Sequence, residues 1–150
     1  MNSFLKRHIR RLVNYWPPFL GAGIRVIRWD EDWRAIDVEL PLHRRNVNFV
    51  GTQYGGSLYS MADPFYMLML IENLGRDYVV WDKSASIRFR RPGKGRVSAS
   101  FRLTQSQLDG IRQALTTEEK IEPIYSVEIK DDAGTVIAEV QKVLHIKRKT

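Results

Sequence analysis

The chain has 150 residues, a formal net charge of +7 from 24 Lys and Arg against 17 Asp and Glu, and no cysteine. Its length fits one domain, residues 1–150, and a 43% apolar, 27% charged composition fits a folded protein rather than a disordered one. Disulfides, thiolate nucleophiles and sulfur-based metal sites are excluded, while the basic excess leaves nucleic acid, an anionic membrane, a phosphorylated or acidic-carrier substrate, or a merely solvated surface open.

In chain order, Phe4, Leu5, His8, Ile9, Leu12 and Val13 recur at spacings of three and four, with Lys6, Arg7, Arg10 and Arg11 between them. This predicts an amphipathic basic helix over 4–15, ending before Pro17-Pro18 and belonging to a helical extension of residues 1–21 that packs on the domain. The early charges rule out the unbroken apolar run of a signal peptide, and no segment reaches membrane-spanning length, so a cytoplasmic address is expected. Ile24 to Trp29 and the alternating Ile36, Val38 and Leu40 then predict a hairpin around the acidic turn Asp30-Glu31-Asp32.

Tyr54 to Leu74 is too long and too continuously apolar for a strand; Leu58, Met61, Ala62, Phe65, Leu68, Met69 and Ile71 cover most of a helix's circumference, and Gly75 closes it. Such a helix must be wrapped by other elements. Four strands follow: Ala85-Ile87-Phe89 and Val97-Ala99-Phe101-Leu103, read as a second hairpin across Pro92-Gly93-Lys94-Gly95, then Tyr125-Val127-Ile129 and a last strand from Thr135 towards Ile146. Gln105 to Lys120 reads as either a short helix or an excursion. The architecture is α+β: an antiparallel sheet of about six strands curled round one helix, with edges and an outer face that call for further copies, a homodimer or homotetramer.

Two features carry chemistry. Gly55-Gly56 open the buried helix, and their unobstructed amides can either polarise a carbonyl oxygen or form a plain turn. Asp63, between Met61-Ala62 and Pro64-Phe65, is an acid in an apolar helix where an uncompensated carboxylate is costly; it serves either a reaction or a neighbouring donor. Pro64 removes a backbone hydrogen bond beside it.

Asn48, Gly51, Tyr54, Gly55-Gly56 and Asp63 fall at the intervals of a motif in the hotdog-fold acyl-CoA thioesterases of the phenylacetate-degradation branch, with Tyr54 where that branch has histidine. The strand-helix-strand order extends this resemblance over residues 22–146, and Tyr54 to Pro64 with Val80-Trp81-Asp82-Lys83 is similar to a hotdog subfamily of unassigned function. The resemblance implies a thioesterase acting on acyl-CoA or an acyl-carrier protein, with no cofactor beyond the coenzyme A of the substrate and no metal. It also implies that Asp63 is the base or nucleophile, that the Gly55 amide polarises the carbonyl and that Asn48 positions water or the thioester. Asp63 of one subunit would face the helix mouth of another. Gly51, Tyr54 and Gly56 would line the substrate site, and one of Asp82, Lys83 and Ser84 would supply a further polar group.

Arg88, Arg90, Arg91, Lys94 and Arg96 cluster in sequence, and Arg90 and Arg91 in particular can receive the phosphates of coenzyme A or an acidic carrier, or simply face solvent. A hotdog module that holds an acyl group without cleaving it is the main alternative, with Met61, Phe65, Met67 and Met69 as tunnel or plain core. A hydratase lacks its Asp and His pair on one helix. Nucleic-acid binding is the remote alternative: Trp16, Trp29, Trp33 and Trp81 do not interleave regularly with Lys or Arg, and no nucleic-acid partner is expected.

Overall fold

The computed structural model describes residues 8, 9 and 12–149. Phe4, Leu5, Lys6, Arg7, Arg10 and Arg11 of the expected first helix lie outside them. His8, Ile9 and Leu12 are helical and run into a 3-10 turn at Val13–Tyr15 and the short helix α1, Pro17–Ala22. Within the described part of this segment, Val13 and Phe19 are buried, the Phe19 ring lies 5.9 Å from Phe65, and the Asn14 side chain exchanges two hydrogen bonds with the Val26 backbone.

The acidic turn joins β1 (Arg25–Trp29) to β2 (Ala35–Leu40) in the expected antiparallel hairpin. Trp33 takes a positive φ of 59° there, uncommon for a bulky side chain, and its buried ring meets Trp29 edge-on at 4.7 Å. The predicted long helix is present but interrupted. α2 covers Gly55–Ser60 and α3 covers Phe65–Leu74, with Met61 to Pro64 between them, because Pro64 has no N–H to continue the ladder. Further strands are β3 (Tyr78–Phe89), β4 (Val97–Arg102), the two-residue β5 (Lys120–Ile121), β6 (Ile124–Asp131) and β7 (Val136–Arg148). Gln105–Ala114 is a helix, α4, started by a capping box in which Thr104 and Gln107 satisfy each other's backbone N–H groups.

The seven strands form one antiparallel sheet in the order β1-β2-β4-β6-β7-β3, with β5 also on β7. This is the hotdog architecture, and its inner face, carried by Ile36, Val38, Leu40, Val97, Ala99, Phe101, Val127, Ile129, Val140, Leu144 and Ile146, closes over α2 and α3. The expected hairpin between β3 and β4 does not exist. β3 lies at the sheet edge against β7, whereas β4 lies between β2 and β6. Its linker crosses the end of the sheet instead of turning: the Arg90 and Arg91 N–H groups both donate to the Ile137 carbonyl, and Gln53 bonds the Gly93 carbonyl from its backbone and the Gly95 carbonyl from its side chain.

Phe101 has no solvent exposure and meets Phe65 at 4.9 Å and Tyr66 at 5.3 Å, the junction of sheet and central helix. Phe101→Ala is expected to cost about 3–5 kcal/mol, read as a lower urea midpoint with an unchanged slope; a loss under about 1 kcal/mol would mean that the junction does not hold the core.

Candidate active site

The mouth of α2 is shaped by contacts that only glycine allows. A Cβ on Gly55 would lie 2.9 Å from the Phe89 ring, and one on Gly56 would enter the ring of Tyr54, the N-cap residue. Neither the Gly55 nor the Gly56 N–H has an acceptor among the described residues, whereas Ser57 and Leu58 both bond the Tyr54 carbonyl. The preceding loop is held by Asn48. Its Oδ1 accepts from Val50 and Thr52 N–H at 3.0 and 2.9 Å, and its Nδ2 donates to Thr52 Oγ1 and the Gln53 carbonyl. Gly51, at φ +82°, makes the turn that others resist. The Asn48 amide expected to position water is therefore committed to the loop, which leaves Phe49 and Val50 exposed at its tip.

Asp63 sits in the break between α2 and α3, with its side chain 47% exposed. Its Oδ1 accepts from the Tyr59 hydroxyl at 2.8 Å and from the Lys142 ammonium at 2.6 Å; Oδ2 has no donor among the described residues. Lys142 also donates to the Asp63 carbonyl at 2.8 Å and reaches Asp82 Oδ2 at 3.0 Å. Two carboxylates thus share one fully buried cation. Of the candidates on β3, Asp82 belongs to this cluster. A bulge at Lys83 shifts the pairing with β7 between Asp82 and Ser84, so Asp82 and Ala85 both face inward, opposite Leu144 and Lys142. Ser84 pairs with the outward Val143, and Lys83 binds Glu122 at 2.7 Å. Sequence reasoning missed Lys142 and Tyr59. Lys142 was signalled by a cation in phase with Val140, Leu144 and Ile146.

Burial alone pulls the Lys142 ammonium down, but the bonds to Asp63 and Asp82 outweigh it and raise its titration above that of an ordinary lysine. Asp82 is pushed up as well, by burial first, with Lys142 only partly opposing it. The ammonium has three acceptors and so holds its proton, whereas Asp82 Oδ1 is buried without a donor, which leaves the Asp82 carboxylate under-compensated. Burial and the bond to Asp63 also raise the Tyr59 phenol, keeping it a donor at neutral pH.

Two cations of the basic cluster are paired with carboxylates. Arg90 pairs with Glu139 at 2.8 Å, and Arg96 with Asp132 and Glu39 at 3.0 and 3.6 Å. The Arg91 guanidinium meets no carboxylate among the described residues and borders an open concavity of about 380 Å³ that Gly55, Leu58, Phe89 and Arg90 also line. Gly55 and Asp63 themselves are eight residues apart, roughly 12 Å at the helical rise, so within one chain they cannot address the same carbonyl.

An acid whose folded titration is raised favours folding below its unfolded value and loses that contribution as pH climbs through the folded one. Asp82→Asn is therefore expected to gain stability relative to the wild type as pH rises above the ordinary aspartate value of about 4, read in paired urea titrations. A difference independent of pH would show that Asp82 ionises without penalty.

Residues 6–146 match a family model described as a domain of unknown function, DUF4442. No curated protein matches the sequence. A Pseudomonas aeruginosa protein of unknown function, described as a "Probable Thioesterase", superposes with a TM-score of 0.79 at 20% identity, covering 99% of this chain and 97% of its own. A Haemophilus influenzae thioesterase gives 0.67 at 14% identity, with 98% and 93% covered. The PaaI protein of the Escherichia coli phenylacetic acid degradation operon gives 0.64 at 16% identity, with 96% and 92% covered. At these identities the likeness is one of fold, and with the family match it shows that this chain is a hotdog protein belonging to the DUF4442 family.

Proposed function

We propose that the protein hydrolyses an acyl thioester of coenzyme A or of an acyl-carrier protein, with Asp63 as its reactive carboxylate. The observation that carries this reading is Oδ2 of Asp63: one oxygen is fixed by two donors while the other stays open on a half-exposed acid at a helix break. As general base it takes a proton from water; the hydroxide adds to the thioester carbonyl, the C–S bond breaks, and the thiolate leaves with the proton to give a carboxylic acid and a thiol. Attack by Asp63 itself, followed by hydrolysis of the anhydride, uses the same open oxygen. The Gly55 amide, with no acceptor of its own, suits the oxygen that becomes negative. The thioesterases among the structural neighbours point the same way.

Gly55 and Asp63 require a second copy to meet. β3 is a twelve-residue edge strand whose outer side pairs with nothing among the described residues. Antiparallel pairing of two such strands about a two-fold axis sets the Phe89 end of one, which touches Gly55, against the Asp82 end of the other. The working unit is then a homodimer, or a tetramer of two such pairs, with two shared sites.

Assayed against a panel of acyl-CoA thioesters, the wild type is expected to turn over at least one, and Asp63→Ala to lose roughly 10²-fold or more in kcat. Equal, negligible rates with acyl-CoA still bound would establish the non-catalytic acyl-binding module instead. Because Arg90 is already paired and Arg91 is not, Arg91→Glu is expected to raise KM more than Arg90→Glu, and the gap to shrink with added salt. Identical KM values for the two variants would remove Arg91 from phosphate binding.

A further inference from the structure

Lys142 occupies an inward position of β7, between Val140 and Leu144, where the strand otherwise supplies core side chains, and it has no solvent exposure. An ammonium has three N–H donors, and here they have three acceptors: Asp63 Oδ1 at 2.6 Å, the Asp63 carbonyl at 2.8 Å and Asp82 Oδ2 at 3.0 Å. That second acceptor exists because the helix breaks at Pro64. Phe65 begins α3, and the Asp63 carbonyl accepts from no backbone N–H among the described residues. A buried cation that only filled space would need a single carboxylate, and replacing such pairs by apolar side chains is often neutral or stabilising. This one instead holds the half-exposed acid at two points, main chain and side chain, so that rotation of Asp63 about its Cα–Cβ bond breaks a charged contact. Tyr59 donates to the same Oδ1, which makes Oδ1 the held oxygen and Oδ2 the presented one.

We infer that Lys142 is a positioning residue of the site: it grips Asp63 from inside the core and aims its second oxygen outward, with Asp82 completing the ammonium's shell. The role rests on the hydrolase reading of Asp63. Lys142 touches no substrate, and its contribution appears in the chemical step rather than in binding.

The test compares wild type, Asp63→Ala, Asp82→Asn, Lys142→Met and the double variant Asp82→Asn/Lys142→Met, measuring kcat, KM and melting temperature on the intact protein. The double variant removes the acid that Lys142→Met would strand, and so keeps the test open if the single variant fails to fold. The expected result is a kcat lower by about 10²-fold in both Lys142 variants, KM within about threefold, and a double variant that still melts cooperatively. A folded double variant whose kcat stays within about threefold of Asp82→Asn overturns the inference while leaving the hydrolase reading intact. A wild type no faster than Asp63→Ala overturns that reading and the catalytic role of Lys142 together. The grip has its own readout: the Lys142 ammonium is expected as a slowly exchanging proton signal in nitrogen-15 spectra at neutral pH, lost in Asp63→Ala, and its absence from the wild type overturns the inference whatever the activity.

Discussion

An ammonium without access to water must find its acceptors inside the fold, and the way Lys142 finds them accounts for two irregularities that otherwise look unrelated. The central helix is interrupted at Met61 to Pro64, which frees the Asp63 carbonyl, and β3 bulges at Lys83, which turns Asp82 to the inner face. A helical proline costs about 3 kcal/mol, and a buried charge left unpaired costs several. The distortions are the smaller term. Remove the break and the carbonyl is free to join the helical ladder; remove the bulge and Asp82 faces outward with Ser84. The helix and the edge strand are both bent to complete the cluster round Lys142.

At the other end of α2 the constraint is steric rather than electrostatic. Phe89 closes on Gly55, Tyr54 stands over Gly56, and Asn48 with Gly51 holds the loop that leads there. Side chains at either glycine would push apart the helix mouth and the end of β3, with the concavity between them. The surrounding charge is less one-sided than its sequence suggests. Carboxylates answer part of it, Asp37 binding Arg102 and Glu139 binding Arg90.

The features legible in the sequence were those written in local periodicity. The alternation of Ile36-Val38-Leu40 and Val97-Ala99-Phe101 faces the core as read, and the acidic turn Asp30-Glu31-Asp32 joins β1 to β2. Tertiary choice was not legible. Pro92-Gly93-Lys94-Gly95 has the composition of a hairpin turn and becomes a crossover because Gln53, some forty residues away, supplies its hydrogen bonds. Of the site, Asp63 stood out as a charge in an apolar helix, but its partner lies 79 residues on, in a strand read only by its apolar members. Which of Asp82, Lys83 and Ser84 faces inward could not be read while the phase of β3 was unknown; the bulge turns Asp82 to the inner face, and a bulge has no signature in this stretch.

The distance between the two halves of the proposed site imposes the strongest condition on any account of its chemistry. Gly55 and Asp63 close opposite ends of α2, and the segments that fix them, the Phe89 contact at one end and the Lys142 grip at the other, are both built into the rigid sheet. Packed interiors of this kind do not slide a residue several ångströms to meet another. A carbonyl polarised at the helix mouth and attacked from the acid therefore cannot belong to one chain. Hydrolysis by Asp63 and assembly through the open edge of β3 stand as one proposition, since the edge that needs covering is the same strand that carries Phe89 at one end and Asp82 at the other.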